Sequence, residues 1–441
     1  MAHLGFLLKV VLLSCGFPTV IGGTVEFLSF VNCSYKGWSC IHQPNNFVDL
    51  LYQCFEDTSW HVVIGETPLN LPQKMKSLTI QNCKNVQLSF TFNFTTDGSI
   101  STTLALKNIV NVTLLPSLEE VILPRRLILE HICLIKSIRS YSFSKIWGSI
   151  VLHNITIDHL ETDSFIHLVI EESMKWDNVR IKVLDTNALN DIGASEFTIS
   201  NSYIGIFELL SFQVRSKKVI IENSRIDDIR FNAIIVLADV FHLVNNTGFN
   251  VVMPNAFNIL AREVIINENN FTYLQTEALE RIGPTLMEED LGDKVIYSFQ
   301  NNYIGIADIG SLHVSLLDYI QSGAVMLIGN NTFSCSCTHL GWLGLPAPRD
   351  HHFKELYEFH ERLLSSEENN TCSGVPCFLP ISILRDLVKV QTVCAVNLTG
   401  AELCAMFPPA TSTPGIASSS ELSPSRILTV LVSTCIFCWL V

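Results

Sequence analysis

The sequence predicts a solenoid, mostly β or α/β in content, that carries a disulfide-stapled cap at each end. Short apolar-x-apolar segments recur through the middle of the chain, and cysteines cluster on both sides of these repeats. The 441 residues are also 48% hydrophobic and only 16% charged. This composition supports a large folded core and excludes a mainly disordered chain.

The repeats form a ladder in which the second apolar residue of each segment serves as the anchor. Successive anchors are 26, 23, 23, 24, 23, 22, 22, 23, 33 and 29 residues apart, which gives about eleven degenerate repeats with a period near 23. Alternating apolar residues predict a strand with one buried side, and stacked repeats would form one parallel sheet over a continuous core. The anchors are Ile80, Leu106, Leu129, Leu152, Trp176, Ile199, Ile221, Leu243, Ile266, Phe299 and Ile328.

Two features follow the anchors. Several repeats place apolar residues three and then five positions further on, as in Ile226, Ile229 and Ile234, and this return segment has no strong helical period. Asparagines also follow the anchors, in two different registers. Asn223 lies two residues after its anchor, whereas Asn269 lies three residues after its own.

The cysteines lie mainly near the two ends of the repeat array. In an oxidising compartment such clusters predict disulfides that staple small end domains with little core of their own. Between the clusters lies only Cys133, which we expect to be a buried apolar thiol. The early cluster is Cys33, Cys40, Cys54 and Cys83, and the late cluster is Cys335, Cys337, Cys372, Cys377, Cys394 and Cys404.

The last repeat runs directly into Cys335-x-Cys337 and then Trp342-Leu343. This segment closely resembles the cysteine-rich C-terminal cap of extracellular leucine-rich-repeat proteins, and the resemblance covers roughly residues 30–405. It implies a leucine-rich-repeat array with one parallel sheet. It also implies the pairs Cys335–Cys372 and Cys337–Cys394, which leaves Cys377–Cys404. The repeats are rich in Ile and Phe where that family prefers Leu, so a right-handed parallel β-helix stays open as the alternative.

The order of segments predicts a chain exported and tethered to a membrane. Residues 1–22 have the pattern of a signal peptide, 23–76 form an N-terminal cysteine cap, 77–333 the repeats and 334–406 the C-terminal cap. A Ser/Thr/Pro stalk at 407–426 precedes a short apolar tail at 427–441. Small residues, spacer and short tail are the layout of a glycosylphosphatidylinositol (GPI) signal, with Gly415, Ala417 and Ser418 as candidate attachment sites. A short single-pass anchor is the alternative.

Nine Asn-x-Ser/Thr sequons predict a glycoprotein, and each predicts a surface position. They begin at Asn32, Asn93, Asn111, Asn154, Asn245, Asn270, Asn330, Asn369 and Asn397.

Charge and motifs favour recognition over catalysis. The net charge of −14 argues against nucleic-acid binding, and we find no nucleophile elbow, phosphate loop or metal-ligand spacing, so no enzyme activity, cofactor or metal is predicted. We expect an outward-facing plasma-membrane protein, or a secreted form of it, that binds an extracellular or cell-surface protein. That partner is a second copy or another chain, as in cell adhesion or a receptor subunit without its own signalling domain. The expected contact residues on the outward strand positions are Thr198, Ile220, Glu222, His242, Val244, Ile265, Asn267 and Ser298.

Two other functions stay open from the sequence. One is a β-helix enzyme that acts on extracellular polysaccharide, for which Asp227 and Asp228 are the adjacent Asp pair within the ladder. The other is a structural component of an extracellular matrix or surface coat.

Overall fold

The fold is described from a computed structural model of the chain. The structure describes residues 25–28, 33, 36–44, 47–54, 61–64, 72, 74–89, 102–116, 124–284, 295–308, 310–312, 314, 323, 325–334, 369–373 and 379–380. The segments predicted as signal peptide, stalk and apolar tail, and most of the predicted C-terminal cap, lie outside these residues.

The described residues fold as a parallel β-solenoid. Every regular element among them is a strand, and within these ranges no helix is long and apolar enough to cross a membrane. In chain order the strands are β1 (Val25–Leu28), β2 (Trp38–His42), β3 (Val48–Gln53), β4 (His61–Ile64), β5 (Met75–Gln81), β6 (Asn85–Ser89), β7 (Thr103–Leu115), β8 (Arg126–Ile138), β9 (Phe143–Leu160), β10 (Phe165–Leu184), β11 (Leu189–Ser200), β12 (Tyr203–Phe207), β13 (Phe212–Glu222), β14 (Arg225–Ile229), β15 (Ile234–Val244), β16 (Thr247–Val252), β17 (Phe257–Asn267), β18 (Asn270–Leu274), β19 (Arg281–Gly283), β20 (Ile296–Gln300), β21 (Tyr303–Ala307), β22 (Val325–Gly329), β23 (Thr332–Ser334), β24 (Thr371–Ser373) and β25 (Leu379–Pro380).

Each full turn has three flat faces, as β10 and β11 illustrate. Residues 165–170 of β10 form face C, residues 173–177 form face A, and residues 179–184 form face B. On all three faces, each segment pairs in parallel with the equivalent segment of the next turn, so backbone hydrogen bonds run along the solenoid axis. The return segment after each anchor pairs in parallel as well, so each turn has three strand faces around the core instead of the single strand per repeat expected from the sequence. Three strand faces per turn are the architecture of the β-helix alternative.

The anchor ladder is confirmed residue by residue on face A. Ile80 pairs with Leu106, and the pairing continues without a slip to Phe299 and Ile328. All eleven anchors are at most 1% exposed. The apolar residues of the return segment are buried as well, which explains their +3 and +5 spacing. A one-residue shift would turn these side chains outward, so the buried face fixes the register.

The corner between faces A and B is made by one residue per turn in the left-handed conformation. From Asn82 to Asn369 these residues have φ between 50° and 61°. Asparagine adopts this conformation more readily than other residues with a side chain, which accounts for the Asn found two positions after many anchors. The twelve residues of this A–B corner are Asn82, Asn108, His131, Asn154, Asn178, Asn201, Asn223, Asn245, Glu268, Asn301, Asn330 and Asn369.

The next residue along the chain points into the core and forms a second column. Towards the N-terminus this column is apolar, with Ile132 and Val179 buried. Towards the C-terminus it becomes a ladder of buried polar side chains: Ser202, Ser224, Asn246, Asn269, Asn302, Asn331 and Asn370. Each side chain accepts a hydrogen bond from the backbone N–H one turn earlier, so a polar group in the core has its partner supplied by its neighbour.

The N-terminal end is closed by an antiparallel pair and by two disulfides. Strand β2 runs antiparallel to β3, and β3 then pairs with the first full rung, β5. The disulfides join Cys33 to Cys40 and Cys54 to Cys83, so the four early cysteines are paired as the sequence predicted. Cys133 is only half-buried, contrary to our expectation of a core position.

At the other end, Cys372 is buried and disulfide-bonded. Cys335, Cys337, Cys377, Cys394 and Cys404 lie outside the described residues, as do the pairings implied for them.

Candidate functional site

The residues predicted to contact a partner all lie on the outward side of face A. One row pairs Thr198, Ile220, His242, Ile265 and Ser298 across successive turns. These five residues therefore occupy equivalent positions on consecutive rungs of face A.

A second row, two residues further along each strand, contains Glu222, Val244 and Asn267. Seven of these eight residues are half-buried, which is usual for side chains on a flat sheet. The exception is Ser298, which is only 2% exposed and donates a hydrogen bond to Asn267 Oδ1 at 3.0 Å. It is too enclosed to be a contact residue.

The aliphatic residues among the predicted contact residues are separated by a polar pair. Ile220 and Ile265 lie in the same row, with His242 between them. His242 Nε2 lies 2.6 Å from Glu263 Oε1. Val244 belongs to the neighbouring row. This surface is therefore mixed, with aliphatic side chains on both sides of a His–Glu pair.

A denser polar cluster, which was not predicted from the sequence, lies towards the N-terminus of the same face. We call Lys107, Glu130, His131, His153 and Asp177 the Glu130 cluster. Lys107 Nζ lies 2.8 Å from Glu130 Oε2, and His153 Nδ1 lies 3.0 Å from Asp177 Oδ2. The rings of His131 and His153 are 5.5 Å apart between centroids and nearly perpendicular.

The fold explains why these side chains meet. Lys107, Glu130, His153 and Asp177 each follow an anchor directly, so they occupy the same outward position on consecutive rungs. Rungs of a sheet are about 4.8 Å apart, which brings equivalent side chains into contact. His131 is the A–B corner residue of its turn. In the sequence, this column can be found by comparing the residue that directly follows each anchor from one repeat to the next.

The two carboxylates of the cluster are stabilised in their charged form. The hydrogen bond from Lys107 is the main reason that the pKa of Glu130 is lowered. Burial alone would raise the pKa of Asp177. Hydrogen bonds from Asn201, Ser200 and His153 outweigh it, and the pKa is lowered. Both groups are therefore anionic at neutral pH.

The cluster contains three side chains placed as metal ligands would be. One ligand atom each from Glu130, His131 and His153 lies within 4.8 Å of the others, and this is the one such group within the described ranges. No metal was predicted from the sequence, because His153 is distant along the chain from the adjacent Glu130 and His131 and meets them only along the solenoid axis.

The Asp pair considered for catalysis lies on face B, and both carboxylates face cations. Asp227 accepts hydrogen bonds from Tyr203 at 2.7 Å and from Arg225 at 2.8 Å. Asp228 lies 3.8 Å from the guanidinium of Arg230. The hydrogen bond to Asp227 also raises the pKa of Tyr203. These contacts hold both carboxylates in place on face B.

The described sequons are concentrated along one edge of the solenoid. Asn154, Asn245, Asn330 and Asn369 are themselves A–B corner residues in the left-handed conformation. The other two sequon asparagines within the described residues are Asn111 and Asn270, and each follows the A–B corner residue of its own turn by at most three residues. Four of the six are exposed, whereas Asn111 and Asn154 are half-buried. Asn32, Asn93 and Asn397 lie outside the described residues, as do the lipid-attachment candidates Gly415, Ala417 and Ser418.

No protein-family model matches the chain, and comparisons with curated proteins and with solved structures found no match either.

Proposed function

We propose that this chain is an exported glycoprotein, held at the cell surface by a lipid anchor, that recognises a protein partner through the outward side of face A. Under this proposal residues 334–406 form the leucine-rich-repeat-type cap that they resemble, and the tail 427–441 is replaced by the anchor at Gly415, Ala417 or Ser418. The chain would act as an adhesion molecule or a receptor subunit.

The observation that carries the proposal is the continuous outward surface of face A. Side chains from consecutive turns are held in register by the sheet, so the surface is broad, flat and rigid, and little conformational entropy is lost when it binds. Around Ile220 and Ile265 it combines aliphatic area with the His242–Glu263 pair. Buried apolar contacts with a few placed polar groups are typical of protein interfaces.

Two further observations support export. The disulfides Cys33–Cys40 and Cys54–Cys83 suit an oxidising compartment. The described sequons follow one edge, so glycans there would leave most of face A and all of face C uncovered.

The proposal is tested with non-adherent cells that express the full-length chain, with and without a phosphatidylinositol-specific phospholipase. Clumping that the lipase abolishes would establish a lipid anchor and binding between copies. Release without clumping would support the lipid anchor and indicate a partner other than a second copy. That partner would be sought by staining cell panels with the released protein. A surface-positive cell from which the lipase releases nothing would contradict the anchor.

A variant pair locates the contact surface. Ile265→Glu places a charge on the mixed part of face A, and we expect it to abolish clumping or cell staining. Ile146→Glu is the matched control, because Ile146 is 62% exposed on face C, away from the proposed surface. Equal binding by the two variants would exclude this part of face A as the contact surface. Absence of any saturable binding would favour a structural coat component.

An enzyme that acts on extracellular polysaccharide is the second candidate, since the chain has the three-faced architecture of a β-helix. Purified protein would then shorten a polysaccharide, and Asp227→Asn or Asp228→Asn would abolish turnover. The exposed Asp239→Asn is the control for charge loss. Turnover that survives both substitutions would rule out the Asp pair as its source.

A further inference from the structure

We propose that Glu130, His131 and His153 bind a divalent transition-metal ion of the zinc class on the outward side of face A. The site lies on a different part of the face from the Ile220–Ile265 surface, and it does not depend on cell-surface recognition.

The ligand set has the chemistry that such an ion requires. Two imidazoles and one carboxylate form a common zinc ligand set that leaves a position open for water. The three ligand atoms lie within 4.8 Å of one another. Zinc bonds of about 2.0–2.2 Å place tetrahedral ligand atoms roughly 3.3–3.5 Å apart, so the most widely separated pair must close by up to about 1.5 Å. His131 has a side chain that is 46% exposed and has room to rotate inward.

The contact with Asp177 favours the tautomer of His153 that leaves one ring nitrogen available to a metal. The carboxylate of Asp177 can only accept a hydrogen bond, so the neutral His153 ring must carry its proton on Nδ1, which lies 3.0 Å away. The lone pair is then on Nε2. A carboxylate that holds the remote nitrogen of a ligand histidine is a recurrent second contact in metal sites, because it fixes the tautomer and the ring orientation.

His131 needs one change in its surroundings. Its Nδ1 lies 2.7 Å from the side-chain amide of Asn154, which in turn accepts a hydrogen bond from Asn178. As placed, the Asn154 amide donates to Nδ1, so Nε2 carries the proton. A half-turn of the amides of Asn154 and Asn178 presents oxygen to Nδ1 and frees Nε2 for the metal. Amide orientation of this kind is assigned from the hydrogen-bond network.

One oxygen of Glu130 contacts Lys107, and the other faces His131. Lys107 contacts Oε2 at 2.8 Å, whereas Oε1 lies 3.5 Å from His131 Nε2. The metal would bind Oε1. Lys107 also places a positive charge beside the site, which weakens cation binding through Coulomb repulsion. Its removal is therefore expected to strengthen metal binding, opposite to the effect of removing a ligand.

The test is a titration of the purified full-length protein with ZnCl2, followed by calorimetry and by competition with a chromogenic chelator. We expect one equivalent of zinc to bind at this site. His153→Ala and Glu130→Gln should each weaken that binding by about tenfold or more, and Asp177→Asn by about 10–100-fold. Lys107→Met should strengthen it. Co2+ in place of zinc should give visible absorption that His153→Ala removes.

His167→Ala is the matched control. His167 Nδ1 lies 3.2 Å from Asp191 on the next rung, the same His–Asp arrangement without the second histidine and the glutamate. Zinc binding should be unchanged in this variant. Absence of saturable zinc binding would overturn the inference. It would equally be overturned by wild-type affinity in His153→Ala, which would place the ion on other residues of the chain. Thermal unfolding of each variant checks that the fold is retained.

Discussion

Asn246 and Asn269 are joined across one turn of the solenoid by two hydrogen bonds to a single oxygen. Asn269 Oδ1 accepts the backbone N–H of Asn246 at 3.0 Å and its side-chain amide at 3.1 Å. The Asn269 amide in turn donates to the carbonyl of Leu243 at 2.7 Å. The same arrangement recurs at Asn302 and Asn331, so the ladder satisfies backbone groups that the corner would otherwise leave unpaired in the core.

Asn269→Ala should destabilise the fold by about 2–4 kcal/mol, because it leaves at least two buried backbone groups unpaired at about 1–3 kcal/mol each. Chemical denaturation measures the loss. Glu263→Gln on the outward side of β17, in the same turn, should cost much less, and a loss of similar size there would contradict the assigned role of the ladder.

Glu268→Asn should stabilise the fold by roughly 0.5–1 kcal/mol. Glu268 has φ of 61° at a corner where most other turns have Asn, and a left-handed conformation disfavours a side chain of this type by about 1–2 kcal/mol. Glu222→Asn is the control at an ordinary strand position, where Asn is disfavoured, and it should be neutral or destabilising. The melting temperatures of the two variants are compared, and a shift of the same sign in both would argue against corner strain.

The pH dependence of stability should differ in sign between Asp177 and Asp185. Hydrogen bonds that outweigh burial lower the pKa of Asp177, so this group stabilises the fold above its ordinary value of 3.8 and the contribution is lost as pH falls through and below that value. Burial raises the pKa of Asp185, so its ionisation destabilises the fold as pH rises above 3.8.

At pH 7, Asp177→Asn should therefore lower stability and Asp185→Asn should raise it. Both side chains are more than a third exposed, and solvent screening keeps each effect within about 1 kcal/mol. Denaturation at pH 7 and at pH 3 measures the difference, which should shrink at the lower pH for both variants. A pH-independent difference would show that the substitution acts through packing.

Gly248→Ala should destabilise the fold by on the order of 2–3 kcal/mol or more. Gly248 has φ of 95°, and an added Cβ would lie 2.3 Å from the backbone oxygen of Ile226. Gly193→Ala is the matched control, since its Cβ would come no closer than 3.8 Å to Leu168. Equal unfolding midpoints for the two variants would contradict this account of Gly248.

The side-chain pattern predicted the ladder well because burial decides which residues alternate. The anchors from Ile80 to Ile328 are all buried and in register. The two Asn registers, which looked like competing alignments, are two real columns: Asn223 is a left-handed corner residue, and Asn269 belongs to the buried ladder.

Other features could not be obtained in this way. Side-chain periodicity reports which residues are buried but not which strands share backbone hydrogen bonds, so the extra faces were missed. The Glu130 cluster was missed because Lys107, Glu130, His153 and Asp177 lie 23 or 24 residues apart along the chain and meet only along the solenoid axis.

The polar ladder also bears on how the chain tolerates change in length. Asn269 and Asn302 are 33 residues apart, and Asn331 and Asn370 are 39 apart, yet each pair makes the same contacts as Asn246 and Asn269 at 23. Because the register is set at the corner, segments between rungs can lengthen without displacing the next rung. Insertions can therefore accumulate in the C-terminal turns over evolution, and new surface loops can arise there while the core stays the same.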